Sequence, residues 1–395
     1  MAYTYRLFNS IDEVELPHWE SVRSACGGPI FMDPRFITAV EVSMRQSNRF
    51  WYIIVYEESG LPVACTALCA FTVDVTDFSD PSLAWIVRRI SVVLPRLRYV
   101  NLLLCGSPVS TGHNNLALAL PCASPQVLSM LDRAICELAS ETGMDAVVYK
   151  EFGQNDLEWT RPLLKLGYQR IAAPPMHFFR PAFRDLQHYC AALRSEYRRQ
   201  IKYSIRKLEK VGVEVSVLTE ANDIITAYTP EVHRLYFQTR ARSHHKFENL
   251  SVDFFHELAI RLAGQVDLVV LSTHTKIVAF GWTLRDGSTY HLLYLGVDYE
   301  LNSEADLYFN LVYATLDRAL RQGVSNIEVG FTANAFKAKL GCYSEPSYVF
   351  AKGLGLLMSR MVRYGANFLI AEEPAIPPFN IFRSGVEGGR DAASP

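Results

Sequence analysis

The sequence predicts an α/β fold, with helices on both faces of a mixed sheet, in which one structural unit occurs twice. The clearest repeat is a Leu-Asp-Arg-Ala stretch that opens a helical segment running into an apolar strand. A Lys-Leu-Gly stretch follows each strand, and a helical segment with a strand–turn–strand precedes each helix. The repeated stretches are residues 131–134 and 316–319, 145–150 and 325–330, and 165–167 and 339–341. Features that recur in one order indicate two similar domains.

The first domain is predicted over residues 1–182. Runs of apolar residues predict strands at 52–56, 63–73, 100–105 and 146–149, and apolar residues at helical spacing predict helices at 35–44 and 126–141. Glycine, proline, serine and asparagine predict a loop at 105–125. Pro174, Pro175 and Pro181 mark the end of the domain.

A basic connecting helix is predicted over residues 183–212, followed by the second domain at 213–372 and a flexible tail at 373–395. The helix has one apolar face and one basic face, and Gly212 ends it. The predicted strands of the second domain are at 213–218, 267–272, 277–284, 289–296 and 326–331. Its predicted helices are at 229–239, 252–262 and 306–321. Proline, glycine, serine and alanine dominate the tail.

The composition is that of a globular protein with two domains. Of its 395 residues, 49% are hydrophobic and 20% are charged. The formal net charge of −2 gives no overall attraction to nucleic acid or to an anionic membrane. The eight cysteines show no metal-ligand spacing, and no signal peptide is evident, so we predict a cytoplasmic protein with reduced thiols.

The most apolar stretch, residues 81–105, is interrupted by four arginines and is therefore not expected to span a membrane. We expect a structured insertion with solvated arginines and no stable membrane insertion. An amphipathic segment that covers the first domain or contacts an apolar substrate is the alternative.

The order of strand–turn–strand, long strand, crossover helix and strand resembles the N-acetyltransferase-like (GNAT) fold. Several stretches resemble its tandem, Fem-type branch, and together they extend over residues 19–352. They are residues 189–202, 233–240 leading to Phe254 and Phe255, 327–330 followed by Lys337 and Gly341, and 29–36. The resemblance implies two tandem GNAT-like acyltransferase domains.

Proteins of this kind transfer an acyl group from an activated carrier to an amine. The resemblance therefore implies an N-acyltransferase with no permanently bound cofactor, whose cosubstrate is an acyl-CoA or a carrier-protein thioester. The implied acceptor is a small-molecule or peptide amine. Fem-type proteins use aminoacyl-tRNA, which gives amino acid transfer as an alternative, although the neutral charge balance and the absence of a coiled-coil arm argue against tRNA. A non-catalytic binding protein of the same fold is the third hypothesis.

The sequence departs from single-domain acetyltransferases where those proteins bind the pyrophosphate of CoA, at a glycine-rich loop before a helix. Residues 296–306 have no glycine pattern and carry Asp298, Glu300, Glu304 and Asp306. Carboxylates repel a pyrophosphate, so we expect the second domain to lack the usual binding site for the pyrophosphate of CoA. The loop at 105–113 is either a phosphate cradle or a plain surface loop.

Glu328 is the first catalytic candidate. Amide formation needs a base for the ammonium proton, stabilisation of a tetrahedral oxyanion and an acid for the leaving group. Alternation along the strand places Glu328 on the face opposite Ile327 and Val329. A buried carboxylate there can act as a general base, bind the substrate amine or form a structural salt bridge.

Tyr294 is the candidate acid for the leaving group, and His291 is a candidate base. Both also have ordinary interpretations as a core tyrosine and a packed histidine. Alternation predicts that Tyr290, Leu292 and Tyr294 share one face of their strand and that His291 lies on the other.

The remaining candidates are for binding of substrate or donor. Lys337 and Lys339, with Asn334 nearby, are candidates to neutralise an oxyanion or a phosphate, or are solvated lysines. His244 and His245 are candidates to contact an acidic substrate, and no third ligand at suitable spacing supports a metal site.

On the connecting helix, Arg198 and Lys202 admit three interpretations. They would follow the phosphates of a tRNA, dock the acidic helix of an acyl carrier protein, or form a solvated helix face.

Overall fold

The computed structural model describes residues 3–77, 81–93, 98–119, 125–242, 248–331, 333–369 and 379–383. The contacts within the chain divide it into two compact units. Unit 1 comprises residues 1–174, 244–254 and 346–373, and unit 2 comprises residues 175–243, 255–345 and 374–395. Across the described residues, no helix combines the length and the apolar character that crossing a membrane requires.

Unit 1 is an antiparallel meander followed by a crossover helix and a parallel strand. Its sheet has the order β1-β2-β3-β4-β6-β13, with β5 on β3, and only β4 and β6 are parallel. The strands are β1 (Tyr3–Phe8), β2 (Arg49–Glu57), β3 (Pro62–Asp74), β4 (Tyr99–Cys105), β5 (Leu116–Leu118), β6 (Ala146–Gly153) and the second half of β13 (Tyr343–Gly353). The helices are α1 (Leu16–Ala25), α2 (Pro34–Met44), α3 (Pro81–Ile90), α4 (Pro125–Glu141), α5 (Arg161–Lys165) and α14 (Gly355–Leu369).

Unit 2 repeats this order of elements. Its sheet has the order β7-β12-β11-β10-β9-β8, and β11 and β12 form the parallel pair. The strands are β7 (Gln169–Phe179), β8 (Glu214–Leu218), β9 (Val266–Ser272), β10 (Ile277–Asp286), β11 (Thr289–Val297) and β12 (Asn326–Gly330). The helices are α6 (Leu186–Ala192), α7 (Ser195–Lys210), α8 (Ala221–Ala227), α9 (Pro230–Arg242), α10 (Val252–Arg261), α11 (Tyr299–Ala305), α12 (Leu307–Arg321) and α13 (Asn334–Lys339). The division between the units falls within β7, α10 and β13.

The crossover helices form where apolar residues recur every three or four positions. In unit 1, α4 buries Leu131, Ile135 and Leu138 in a core that includes Val147 of β6. In unit 2, α12 buries Leu316 and Leu320 in the core that holds Ile327 of β12. Each helix therefore covers the parallel pair of its own unit, as the sequence predicted for a mixed α/β sheet.

The sequence predicted one connecting helix at residues 183–212, but the structure contains two helices there. Asp185 begins α6 by accepting a hydrogen bond from the His188 amide at 2.7 Å. Leu193 is extended, with φ −73° and ψ 150°, and it forms an isolated β-bridge with Phe382. The chain therefore leaves the helix at Leu193 and starts α7 at Ser195.

Part of the predicted flexible tail is packed. The side chain of Ile381 is buried in unit 2, and its carbonyl accepts a hydrogen bond from the Arg194 amide at 2.8 Å. The amide of Arg383 donates to the carbonyl of Ala192 at 3.0 Å. Composition alone missed this segment, because its anchor is the interrupted backbone between α6 and α7.

The loop after β4 is not a plain surface loop. Ser107 and Ser110 are buried, and the Ser110 hydroxyl donates to Glu151 at 2.9 Å. Lys150 lies 3.2 Å from the same carboxylate and donates to the Ser110 carbonyl at 3.0 Å. Burial raises the pKa of the Glu151 carboxyl, against the opposing effect of Lys150. Polar residues of the predicted loop are thus part of the interior of unit 1.

The repeated Leu-Asp-Arg-Ala stretch forms an ion pair in each unit, but a different residue of the stretch forms it. In α4, Asp132 is buried, accepts from the Tyr168 hydroxyl at 2.9 Å and pairs with Lys352 at 2.9 Å. In α12 the corresponding ion pair belongs to Arg318, which is partly buried and donates to Asp267 at 2.8 Å. Asp317 instead accepts from the Leu186 amide and from Arg321, each at 2.7 Å, and its side chain is 27% exposed.

The substitution Asp132→Asn is expected to destabilise the protein by roughly 3 kcal/mol, because it leaves the partly buried ammonium of Lys352 without its counter-charge and removes the charged acceptor of the Tyr168 hydroxyl. The matched change Asp317→Asn removes a partly exposed charge and is expected to cost under about 1 kcal/mol. Urea denaturation of both variants measures the difference. If both variants lost the same free energy of unfolding, the burial of Asp132 would not increase its contribution to stability.

Candidate active site

The parallel strands β11 and β12 are paired over only three residues. Thr289, Tyr290 and His291 oppose Asn326, Ile327 and Glu328. Beyond these residues β11 continues to Val297 along β10, whereas β12 continues to Gly330 along β7. In open α/β sheets, ligands bind outside the carboxyl ends of strands, where neighbouring strands part. His291 and Glu328 are therefore the last paired residues before these two strands part.

His291 and Glu328 form a buried hydrogen-bonded pair. His291 Nδ1 lies 2.9 Å from Glu328 Oε2, and the two side chains are only 2% and 4% exposed. Because an ionised carboxylate only accepts hydrogen bonds, Nδ1 carries the hydrogen in the neutral ring. Nε2 is then the nitrogen that can take up a proton. The pair has the arrangement of a general base and the carboxylate that orients it.

The predicted faces of β11 are wrong for Tyr294, because the strand contains a β-bulge. Trp282 of β10 opposes Tyr294, and the next residue, Thr283, opposes Leu292. Leu293 is therefore an extra residue, and every side chain after it is shifted to the other face. Tyr290 and Leu292 share one face as predicted, but Tyr294 lies on the face of His291.

Aromatic side chains from α9 and α10 surround Tyr294, which is half-buried. Its ring centroid lies 6.0 Å from that of Tyr236 and 5.8 Å from that of Phe255, both with edge-to-face geometry. Trp282 extends the group, with its centroid 5.1 Å from that of Phe255. Sequence reasoning gave these residues no role, although it singled out the stretch at 233–240 and Phe255. These aromatic residues form an apolar wall of the site, and Tyr294 contributes a hydroxyl to it.

Gly296 allows α9 to approach β11 closely. A Cβ atom at this position would lie 2.3 Å from the ring of Phe280 and 2.8 Å from the backbone of Leu235. No side chain can occupy that space without displacing backbone, so glycine is required by packing here. The glycine keeps the aromatic residues of α9 against the face that carries Tyr294.

Gly330 ends β12 with φ 82°, a conformation that favours glycine. Its carbonyl accepts hydrogen bonds from Lys337 Nζ at 2.7 Å and from His177 Nδ1 at 3.2 Å. Lys337 is only 4% exposed, so its ammonium belongs to the interior beside the carboxyl end of β12. Asn334 begins α13, the short helix that returns Lys337 to the strand.

His177 is a site residue that the sequence did not indicate. Burial lowers the pKa of its imidazole to about 4, and the nearby ammonium of Lys337 acts in the same direction. The hydrogen bond to the Gly330 carbonyl opposes the shift. A strand pattern alone carries no signal for this residue, because its partner is a backbone carbonyl that is distant in sequence.

The other predicted binding residues do not join this group. Lys339 is exposed, with its ammonium 5.8 Å from the ring of Phe379. Arg198 is half-buried and Lys202 is exposed on α7. His244 and His245 lie outside the described residues.

The amino terminus of α11 already holds a carboxylate. Asp298 accepts hydrogen bonds from the amides of Glu300 at 3.1 Å and Leu301 at 3.4 Å, and it pairs with Lys276 at 3.0 Å. Burial raises the pKa of this carboxyl, but the hydrogen bonds from Lys276 and the amides outweigh burial and hold the pKa below its ordinary value. The position where a helix would bind a pyrophosphate is thus occupied by the chain's own anion.

Comparison with known proteins supports this fold. Residues 195–338 match the family model of the acetyltransferase (GNAT) domain. A search of curated protein sequences found no match. Among solved structures, the chain is similar to FemX, with a TM-score of 0.54 and 12% identity over 90% of this chain and 98% of that one.

Two further structures show the same fold. One is a tandem GNAT protein from the clavulanic acid biosynthesis pathway, with a TM-score of 0.53 and 11% identity over 90% of this chain and 99% of that one. The other is the C-terminal domain of a putative lysylphosphatidylglycerol synthetase from Agrobacterium fabrum, with a TM-score of 0.51 and 11% identity over 87% and 92%. The predicted GNAT fold is confirmed.

The lowered pKa of His177 predicts a pH dependence of stability. In the unfolded chain the imidazole binds a proton below its ordinary pKa of 6.5, whereas in the folded protein it does so only near pH 4. The free energy of unfolding therefore falls as the pH drops from 6.5 towards 4. His177→Asn keeps a donor for the Gly330 carbonyl and is expected to flatten this part of the profile.

Chemical denaturation between pH 7 and pH 4 measures the slope in both proteins. His274→Asn, in the exposed turn between β9 and β10, controls for the loss of a histidine elsewhere in unit 2. An unchanged slope in His177→Asn would contradict the proposed titration.

Proposed function

We propose that unit 2 is an N-acyltransferase that moves an acyl group from an activated carrier to an amine. The observation that carries this proposal is the buried His291–Glu328 pair at the last paired position of β11 and β12. A GNAT domain over residues 195–338, which includes both residues, supports the same reaction class.

In this proposal the His291–Glu328 pair removes the proton that the amine must lose. The amine nitrogen attacks the carbonyl carbon of the acyl donor, and a C–N bond forms as the carbonyl oxygen becomes an oxyanion. His291 takes the ammonium proton at Nε2, while Glu328 holds the ring through Nδ1 and stabilises the resulting imidazolium. The buried position of the pair restricts water that would compete with the amine.

Tyr294 is proposed to give a proton to the leaving group. The oxyanion collapses, the bond between the carbonyl carbon and the leaving sulfur or oxygen breaks, and the leaving atom takes the phenolic proton. The bulge at Leu293 makes this role available, because it places Tyr294 on the face of His291. Lys337 is proposed to favour negative charge at the carboxyl end of β12, where its ammonium is held by Gly330.

The acyl donor is proposed to be a thioester, either of CoA or of a carrier protein. Because Asp298 occupies the amino terminus of α11, a CoA donor would have to be held by other contacts. The second candidate is an aminoacyl-tRNA donor, which the exposed face of α7 favours. Arg199, Lys202 and Arg206 lie on that face at helical spacing, and within the described chain no carboxylate lies at ion-pair distance from them. Such a stripe suits a phosphate backbone.

Glu328→Gln and His291→Asn test the proposed catalytic pair. Both substitutions preserve a hydrogen bond between the two positions, but the first removes the carboxylate and the second removes Nε2. We expect each to lower turnover by about 100-fold or more, the upper part of the range for a general base. Release of free thiol from acetyl- and palmitoyl-CoA, with a panel of primary amines, measures the rate.

The matched control is Glu304→Gln, which removes an exposed carboxylate from the same unit. It is expected to keep full turnover. Full turnover in Glu328→Gln would remove the pair from the mechanism. A protein that binds CoA or an amine but never turns over would support the non-catalytic alternative.

Thermal unfolding with and without CoA, acetyl-CoA and palmitoyl-CoA distinguishes the donors. A ligand at about 100 times its dissociation constant adds roughly 2.7 kcal/mol to the stability of the folded state. A rise in melting temperature would establish a CoA donor and rank the acyl chains. If none of the three ligands shifts the transition, the donor is macromolecular. Arg199→Gln/Lys202→Gln/Arg206→Gln is then expected to weaken binding of the tRNA or carrier protein.

A further inference from the structure

Outside the candidate site, α3 of unit 1 carries an exposed apolar surface. Ala84 is buried and Val87 is half-buried, so the helix packs through a narrow inner face. Trp85 is 59% exposed, and Ile86 and Ile90 are 46% and 45% exposed. A globular protein normally turns such side chains inward, and a contiguous exposed group of them marks a binding surface.

The apolar surface continues past the end of the helix. The amides of Ser91 and Val93 donate to the carbonyls of Val87 and Ile90, which carries the helical path onward. Val92 and Val93 are 82% and 80% exposed, the highest values among the exposed large hydrophobic residues. Ile86, Ile90 and Val93 lie at positions i, i+4 and i+7 and form one stripe, beside the stripe of Trp85, Arg89 and Val92. We call residues 85–93 the α3 tip.

The charge of the α3 tip is positive. Arg88 and Arg89 are exposed, and the guanidinium of Arg89 lies 4.9 Å from the ring of Trp85. No aspartate or glutamate occurs between residues 84 and 93. Tryptophan and arginine beside aliphatic side chains are the composition of surfaces that bind at the boundary of lipid headgroups and acyl chains. Arginine adds attraction to anionic headgroups.

We propose that the α3 tip binds the surface of an anionic lipid bilayer and holds the protein there as a peripheral protein. Two features favour a membrane over a protein partner. The most exposed side chains, Val92 and Val93, follow the end of the helix, and a fluid lipid layer accommodates such side chains without a matching cavity. The arginines lie beside the apolar stripe. The arginines can therefore bind anionic headgroups while the apolar side chains contact the acyl chains below them. This inference does not depend on the proposed acyl transfer.

The test is sedimentation of the full chain with large unilamellar vesicles. One set contains phosphatidylcholine alone, and the other contains phosphatidylcholine and phosphatidylglycerol at three to one. We expect at least tenfold greater partitioning of the wild type into the anionic vesicles. Ile86→Ser/Ile90→Ser is expected to lower that partitioning at least tenfold. Arg88→Gln/Arg89→Gln is expected to lower it about fivefold per arginine on anionic vesicles, because each basic residue near the surface contributes that factor.

The matched control is Leu61→Ser/Leu164→Ser, which removes two exposed leucines from unit 1 outside the α3 tip. It should partition like the wild type. Circular dichroism and thermal unfolding check that each variant is folded. Absence of wild-type binding to both vesicle types would overturn the proposal, as would unchanged binding of Ile86→Ser/Ile90→Ser. Self-association that this variant abolishes, without vesicle binding, would also overturn it, because the tip would then be a contact between copies.

Discussion

The extra residue in β11 is the constraint on which the candidate site depends. If Leu293 were an ordinary strand residue and not a bulge, strict alternation would direct Tyr294 into the core beneath α12, on the side of Leu292. The bulge instead aligns Tyr294 with His291, and His291 with Glu328 across the parallel pair. The bulge thus brings a hydroxyl, an imidazole and a carboxylate to one face of the sheet. Bulges commonly serve active sites in this way, because they redirect a side chain without changing the strands around it.

The rest of the site is organised by backbone groups. The Gly330 carbonyl is shared by Lys337 and His177, and its left-handed conformation is what presents it to both donors. The amides at the start of α11 are likewise taken by Asp298. An anionic donor approaching unit 2 therefore meets a helix end that is already neutralised. The ammonium of Lys337 is buried at the carboxyl end of β12, where the Gly330 carbonyl holds it.

Local pattern predicted much of this fold because the core obeys simple periodicity. Strands β2 to β4 and β8 to β11, the crossover helices and the face of Glu328 were predicted from alternation and helical spacing, and the structure confirms them, whereas β1 was not predicted. The face of Tyr294 was predicted wrongly, because a bulge leaves no mark in a strand that is apolar on both sides. The break at Leu193 and the packing of Ile381 were missed for a related reason. Each depends on a long-range backbone pairing between segments that are far apart in sequence.

The repeated Leu-Asp-Arg-Ala stretch shows how far two similar units can diverge beneath a shared pattern. In α4 the aspartate is the buried ion, and Arg133 lies on the surface with Glu137. In α12 the arginine forms the ion pair with Asp267, and the aspartate caps a neighbouring helix. The two crossover helices are therefore not interchangeable parts, although their sequences align. A chimera that carried α4 in the place of α12 would keep an arginine beside Asp267, because Arg133 aligns with Arg318, whereas Asp132 would arrive without Tyr168 and Lys352, the partners that it has in unit 1. The shared Leu-Asp-Arg-Ala stretch reflects a fold that the two units have in common. The ion pair that stabilises each crossover helix is different in the two units.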